Sequence, residues 1–190
     1  MPSISSLENE TMGGHNYNPG LCDVGLSQNP VVPSEQRKPA IEYVVGFLFG
    51  DQGINVALIH KTKPAWQFGK LNGIGGKIEP GETAAQAMTR EFREEAGVHI
   101  EDWEPFATII CDNGGNEANL SARVHFFRYF SSTDLQKVET KTEERVQIVD
   151  SRDVQIFTCV PNLRWLLPMA LARGGPYLTI NEEVGGLTIQ

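Results

Sequence analysis

Cysteine and histidine are scarce in this chain of 190 residues, which has three cysteines and four histidines. The cysteines, at positions 22, 111 and 159, are odd in number and widely spaced, and none belongs to a CxxC or Cys/His ligand pair. A disulfide framework and a zinc site are therefore disfavoured. Thiols that stay reduced predict a cytoplasmic protein.

The chain also lacks a long apolar run and an excess of positive charge. Its longest apolar stretch, residues 43–49, is far shorter than a bilayer span, and its first residues lack the basic and apolar regions of a secretory signal. With 16 Lys and Arg against 24 Asp and Glu, the formal net charge is −8. We therefore expect no membrane partner and no nonspecific nucleic-acid binding, which needs clustered positive charge. An acidic enzyme can still bind a polyanionic substrate through a divalent cation.

Residues 1–40 differ in composition from the rest of the chain. Pro, Gly, Ser and Asn fill 18 of these 40 positions, and apolar periodicity is weak. This composition predicts a flexible arm. Alternatively, apolar residues such as Ile4, Leu7 and Leu21 could pack the arm on a partner subunit of a homodimer. We assign residues 41–190 to one folded domain.

Beyond residue 40, the pattern predicts a β-hairpin followed by a helix. Two β-rich runs, at 41–49 and 54–60, flank the turn signal at 50–53. A helix is expected at 83–96, and Gly97 stands where a glycine often ends a helix. Its expected apolar face consists of Ala84, Ala85, Met88, Phe92 and Ala96.

Further strands and a closing helix are expected in the second half of the chain. The strands are predicted at 106–111, 122–130 and 145–149, and the helix at 162–172. Several strands with two separated helices indicate an α/β protein of the α+β or α/β/α sandwich type.

A glycine-rich loop at 75–82 leads into the first helix and carries the main chemical signal. On the helix, Glu91, Glu94 and Glu95 fall within an arc of about 100° beside the apolar face. Like charges at this spacing repel, whereas a hard cation such as Mg²⁺ would convert the repulsion into coordination. Arg90 lies four residues before Glu94, so its guanidinium can orient that carboxylate. The combination suggests metal-assisted attack at phosphorus.

The same residues are identified as a Nudix box that matches at every specified position. The match reads Gly76-x5-Glu82-x7-Arg90-Glu91-Phe92-x-Glu94-Glu95-x-Gly97-Val98. The resemblance implies a Nudix-type α/β/α sandwich with a mixed sheet. It also implies a hydrolase that acts on nucleoside diphosphates linked to another group.

The resemblance further implies the roles of the box residues. Glu91, Glu94, Glu95 and the carbonyl of Gly75 would bind Mg²⁺, with Mn²⁺ as an alternative, and Arg90 would assist them catalytically. Which glutamate acts as the general base stays open.

A further metal ligand often comes from a loop after the box in this family. Glu144, in the run Thr142-Glu143-Glu144-Arg145, is the candidate, and the alternative is a solvated turn residue.

The stretch before the box is similar to that of oxidised-purine nucleoside triphosphate diphosphatases. This similarity implies that Trp66 stacks on a base, that Asn72 binds the nucleotide and that Lys77 belongs to the substrate site. Alternatively, Trp66 anchors the loop in the core and Asn72 forms a turn. Those enzymes carry two adjacent acids near the last helix, where this chain has Pro161-Asn162. Asn162 could bind a purine edge, or it could cap the helix.

These observations favour a Mg²⁺-dependent hydrolase that converts a purine nucleoside triphosphate, oxidised or not, to the monophosphate and pyrophosphate. The same chemistry on a nucleotide sugar, a dinucleoside polyphosphate or an RNA cap is the first alternative. The second is a non-catalytic nucleotide-sensing module, which the intact box disfavours. The expected partner is a small nucleotide.

The arm assignment has a direct test. If residues 1–40 are only a flexible tail, a truncated chain starting at Lys38 should keep the Tm and activity of the full chain. Thermal melting, activity assays and size-exclusion chromatography would check this. A lower Tm, lost activity or a changed oligomeric state would show that the arm belongs to the working structure.

Overall fold

The computed structural model describes residues 41–112, 121–154, 157–183 and 186–189. The arm predicted at residues 1–40 lies outside the described residues, so that assignment and the domain boundary at residue 41 stay predictions. Three helices are present in the described part, α1 (Ala84–Ala96), α2 (Ser132–Leu135) and α3 (Leu163–Leu171), together with a 3-10 turn at Ala65–Gln67. None of the helices in these ranges is long and apolar enough to cross a membrane.

Eight strands within the described ranges form one mixed sheet. They are β1 (Ile41–Phe49), β2 (Asn55–His60), β3 (Leu71–Asn72), β4 (Glu104–Asp112), β5 (Ser121–Phe130), β6 (Val146–Asp150), β7 (Leu178–Glu183) and β8 (Gly186–Ile189). Their order is β3-β2-β1-β5-β4-β7-β8, and β6 pairs with β2. The β1–β5 and β4–β7 pairs are parallel and the other pairs are antiparallel. The predicted β1–β2 hairpin is confirmed.

The side chains of β1 alternate between two cores, one on each face of the sheet. Val44 and Leu48 pack in the core under α1, whereas Phe47 and Phe49 pack in the core under α3. Alternation with period two sends successive side chains to opposite faces. Because both faces are covered by helices, nearly every residue of β1 is apolar. The α/β/α sandwich with a mixed sheet is therefore confirmed.

Local sequence fixes both ends of α1. Thr83 and Gln86 form a capping box, in which each side chain binds the other's backbone amide. Gly97 adopts a left-handed conformation with φ of 76° and ends the helix, as its position predicted. The predicted apolar face is wrong at one position, since Ala85 is exposed and Ala87 is fully buried.

The last two strands, β7 and β8, were not predicted from the sequence. Each contains the short run Leu-Thr-Ile, at 178–180 and at 187–189. In the antiparallel ladder, residues 180–183 of β7 pair with 186–189 of β8, so the two runs meet only at Ile180 and Ile189. This repeated β-branched pattern on either side of two glycines was the available hairpin signal. The hairpin was not recognised because each run is short and lies beyond α3.

A buried arginine joins the sheet to the end of α3. Arg128 of β5 is only 2% exposed, and its Nη1 donates to the carbonyl oxygens of Ala170 at 3.2 Å and Ala172 at 2.9 Å. Its Nη2 donates to the carboxylate of Glu104, which lowers the pKa of that group. Carbonyls at a helix C-terminus lack partners within the helix, and a cation there also matches the helix dipole.

The Arg128 contacts predict a large stability loss when the guanidinium is removed. Arg128→Lys should destabilise the fold by about 2 kcal/mol or more, because one ammonium cannot reach both carbonyls and Glu104. The matched control is Arg123→Lys, whose half-exposed ion pair with Glu42 should contribute less than about 1 kcal/mol. Thermal and urea unfolding would measure both, and equal losses would contradict the assignment.

Candidate active site

Arg90 is the centre of the charged cluster on α1. Its guanidinium forms a two-pronged contact with Glu82, Nε to Oε1 at 2.7 Å and Nη2 to Oε2 at 2.9 Å. Nη1 also donates to Glu91 at 2.8 Å and to Glu94 at 3.3 Å. The sequence predicted that Arg90 orients Glu94, but the shorter contacts are with Glu82 and Glu91. Arg90 therefore positions three carboxylates and joins the glycine loop to the helix.

These contacts set the protonation of the cluster. The hydrogen bond from Arg90, together with the amide of Glu79, lowers the pKa of Glu82 to about 2. The same bond to Glu82 raises the pKa of Arg90 far above its usual value. Glu82 and Arg90 therefore stay ionised across the physiological pH range.

The glycine loop approaches β1 as an additional antiparallel segment. Gly46 donates to the Ile74 carbonyl at 2.7 Å and Val44 donates to the Gly76 carbonyl at 2.9 Å. In such a ladder, the residue between two bonded positions turns its amide and carbonyl away from the partner strand. Gly75 does so, because its amide donates to Oε2 of Glu95 on α1 at 3.1 Å.

Glu95 is the carboxylate of the cluster whose pKa is raised. Burial raises its pKa to about 7, and the nearby charges of Glu91 and Glu144 act in the same direction. Lys61 and the Gly75 amide oppose the rise. A carboxylate that has lost its hydration beside other carboxylates is a favourable environment for a cation.

Glu144 is not the solvated turn residue that the sequence left open. It is 4% exposed, and its carboxylate accepts hydrogen bonds from the Lys61 ammonium, from the Thr62 amide at 2.5 Å and from the Thr62 hydroxyl at 2.9 Å. Burial opposes its ionisation, but the bonds from Lys61 and Thr62 outweigh that effect and lower its pKa. Glu144 therefore fixes the loop after β2 close to Glu95.

The chemistry of these donors fits a hard divalent cation. All the ligands implied by the resemblance are oxygens, from Glu91, Glu94, Glu95, Glu144 and the Gly75 carbonyl, as Mg²⁺ prefers. Within the described ranges, no three His, Cys, Asp or Glu side chains converge on one point in metal-binding geometry. Instead, Glu91 and Glu94 contact Arg90, and Glu95 contacts Gly75. The individual ligand assignments stay predictions.

A cavity of about 920 Å³ lies next to the glycine loop. It brings together three predicted substrate residues, Trp66, Asn72 and Asn162, with Gly75 and Gly76 at its edge. Its volume is in the range of small-molecule sites. Lys77 is exposed and does not line this cavity, although its carbonyl accepts from Arg90 at 3.1 Å.

Trp66 and Asn72 occupy positions that exclude their alternative roles. Trp66 is 60% exposed in the 3-10 turn, so it is not a core anchor. Lys70 places its ammonium 5.9 Å from the Trp66 ring centre. Asn72 is not a turn former, because it lies in β3 opposite Ile59, and its amide donates to Gln67 at 3.2 Å. Both side chains can therefore contact a ligand in the cavity.

Asn162 directly precedes α3, but its side chain does not cap the helix. Its backbone is helical and its side chain makes no capping hydrogen bond, so the capping interpretation is wrong. Its Oδ1 is buried and has no hydrogen-bond partner among the described residues. A buried amide oxygen without a partner costs about 1–3 kcal/mol unless something else donates to it.

The structure adds lining residues that the sequence analysis missed. Lys61 and Tyr43 line the cavity, as does an apolar wall formed by β4 and β5. A signal for Lys61 was present, since this lysine directly follows the largely apolar strand β2, upstream of the glycine loop. The wall carried no such signal, because its residues resemble those of any buried strand.

A NUDIX domain model matches residues 41–170, more than half of the chain. The chain belongs to the Nudix family. The family assignment made from the Nudix box is confirmed.

Two curated relatives of this Nudix chain are named as a phosphatase and a hydrolase, in agreement with the expected enzyme class. Human 8-oxo-dGDP phosphatase NUDT18 is 38% identical over 80 residues, which are 42% of this chain and 24% of that protein. The oxidized purine nucleoside triphosphate hydrolase of Danio rerio is 35% identical over 71 residues, 37% of this chain and 44% of that protein. The chain thus matches less than half the length of either relative.

Solved structures show the same Nudix fold at low identity. The NUDIX domain of Shewanella oneidensis NrtR, solved with ADP ribose, is 19% identical with a TM-score of 0.60 and covers 75% of this chain and 94% of that chain. MutT from Bacillus halodurans is 16% identical with a TM-score of 0.59 and covers 79% and 97%. At these identities the likeness concerns the fold alone.

The carboxylate cluster predicts the effect of removing one charged oxygen. Glu95→Gln keeps size and helix propensity but should lower turnover at least about 10²-fold and weaken binding of Mg²⁺ or Mn²⁺. Glu101→Gln is the control, since Glu101 is exposed and pairs only with His99 in the described residues. Kinetics and metal titration of folded variants would measure both effects. Near-normal turnover and metal binding in Glu95→Gln would contradict the cluster assignment.

Proposed function

We propose that this Nudix protein hydrolyses an oxidised purine nucleoside triphosphate to the monophosphate and pyrophosphate, with Mg²⁺ as its metal. The observation that carries the proposal is a cavity lined by Trp66, Asn72 and Asn162, together with a buried Asn162 Oδ1 that has no hydrogen-bond partner among the described residues. The names of the two curated relatives support the same substrate class.

The chemistry of oxidised purines matches this acceptor. An ordinary purine carries a lone pair at N7, whereas an 8-oxopurine carries an N7–H donor and a carbonyl oxygen at C8. An amide oxygen would accept from N7–H but would meet the lone pair of the ordinary base. Leaving either group unpaired costs about 1–3 kcal/mol, which is enough for discrimination.

Trp66 and the cluster on α1 would act at opposite ends of the nucleotide. The exposed indole of Trp66 offers a face for stacking on the base. The Gly75 amide holds Glu95 while Arg90 holds Glu91 and Glu94, so the carboxylates stay positioned beside the loop. Bound Mg²⁺ would neutralise phosphate charge and polarise the phosphorus centre.

A nucleoside diphosphate is the second candidate substrate. The human relative is named as a phosphatase of 8-oxo-dGDP, whereas the zebrafish relative is named for triphosphates. Parallel assays with the di- and triphosphate of the same base, analysed for phosphate and pyrophosphate, would separate them.

Substitution of Asn162 tests the proposed selectivity. Asn162→Ala should reduce the preference for 8-oxopurine over ordinary purine triphosphates about ten-fold or more, because the acceptor for N7–H is gone. The preference is measured as the ratio of kcat/KM values with Mg²⁺. Helix α3 should still form, since the side chain makes no cap.

The matched control is Asn55→Ala, at an exposed position outside the cavity. It should leave the ratio unchanged. A wild-type protein without preference for oxidised purines would overturn the proposal, as would an Asn162→Ala variant that keeps the full preference.

A further inference from the structure

The cavity has a polar end formed by β3 and the start of α3. Leu71 of β3 donates to Thr158 at 2.9 Å and accepts from Val160 at 3.0 Å, so the segment before α3 is tied to the strand that carries Asn72. Asn162 also lines the cavity, and its Oδ1 has no hydrogen-bond partner among the described residues. The amide oxygens of Asn72 and Gln67 each accept one hydrogen bond and keep a second lone pair.

The opposite wall of the cavity is apolar. It consists of Ile109, Cys111, Ala122, Val124 and Phe126, and β4–β5 pairing sets Ile109 beside Val124 and Cys111 beside Ala122. The strands β1 and β5 lie between the glycine loop and β4, so the loop and β4 are about 14 Å apart across the sheet. A base lying across β1 would therefore have one edge at the amides and the other at this wall.

No carboxylate lines the cavity in the part of the chain that the structure describes. Tyr43 brings one polar group to the wall, since it pairs in register with Val124. A phenol oxygen can accept a hydrogen bond from one N–H. The remaining side chains of the wall offer no oxygen or nitrogen to a donor.

The two oxidised purines place their N–H donors differently. In 8-oxoadenine, every base N–H lies on the edge that carries N6 and N7, and the N1–C2–N3 edge has none. In 8-oxoguanine, N7–H lies on one edge, and N1–H and the N2 amino group lie on the other. Only 8-oxoadenine can direct all its donors to the amide end and none to the wall.

We infer that the cavity selects 8-oxoadenine nucleotides over 8-oxoguanine nucleotides. This inference rests on the proposed function and specifies the base that the site takes. With the Tyr43 hydroxyl accepting one donor at most, 8-oxoguanine would leave at least one N–H buried against Val124 or its neighbours. An unpaired buried donor corresponds to a loss of about 10- to 100-fold in kcat/KM.

The experiment compares 8-oxo-dATP, 8-oxo-dGTP, dATP and dGTP as substrates of the full chain with Mg²⁺. The expected result is a kcat/KM for 8-oxo-dATP at least about ten-fold above that for 8-oxo-dGTP. Equal values, or a preference for 8-oxo-dGTP, would overturn the inference and leave the proposed function standing. If neither oxidised nucleotide is preferred over its ordinary form, the proposed function itself fails.

An acceptor introduced into the wall provides an independent test. Val124→Thr keeps the side-chain shape and adds a hydroxyl, so it should raise kcat/KM for 8-oxo-dGTP relative to 8-oxo-dATP by about three-fold or more. Val146→Thr is the matched control, because Val146 is also a half-buried strand valine but lies outside the cavity. It should leave the ratio unchanged. An unchanged ratio in folded Val124→Thr, or the same change in both variants, would contradict the role of the wall.

Discussion

The close approach of Gly75 and Gly76 to their neighbours is the constraint on which the site depends. A Cβ at Gly76 would lie 2.5 Å from the carboxylate of Glu91, and one at Gly75 would lie 2.1 Å from the Val44 carbonyl. Gly75 also has φ of +154°, which a side chain would strain. Without glycine at both positions, the loop could not pair with β1 and contact α1 together. The Gly75–Glu95 bond and the contact between Arg90 and the Lys77 carbonyl both depend on this approach.

The negative charge of the carboxylates on and beside α1 is balanced by two cations, one on the helix itself and one from a distant part of the chain. Arg90 comes from the same helix and contacts Glu82, Glu91 and Glu94, so the sequence pattern places it there. Lys61 comes from the end of β2 and pairs with Glu144 beside Glu95. The Arg90 pair keeps Glu82 ionised, whereas burial leaves Glu95 with a raised pKa of about 7. Positive charge is thus distributed unevenly along the cluster, and Glu95 is the carboxylate with the least compensation.

Local patterns predicted the β1–β2 hairpin, α1, α3 and most of the other strands, and the motif predicted which side chains lie beside the glycine loop. The β1–β2 hairpin, the start of α1 and the ending glycine depend on nearby residues, so the sequence contained them. Contacts between distant segments were not predictable in this way. Glu144 meets Lys61 across 83 positions of the chain, and its burial depends on that meeting. Likewise, the missing cap at Asn162 follows from a helical backbone at that position, which composition does not determine.

The cavity lining involves more of the chain than the curated relatives share with it. The lining extends from Tyr43 to Asn162 and takes side chains from β1, β3, β4, β5 and the start of α3. The matches to the human and zebrafish relatives span 80 and 71 residues, so neither includes the whole lining. A shared Nudix box accounts for shared phosphate chemistry, because the box residues surround the glycine loop. It would not determine which edge of the proposed base meets the amides and which meets the wall. Under the proposed function, the chemistry of the lining itself therefore has to decide the base.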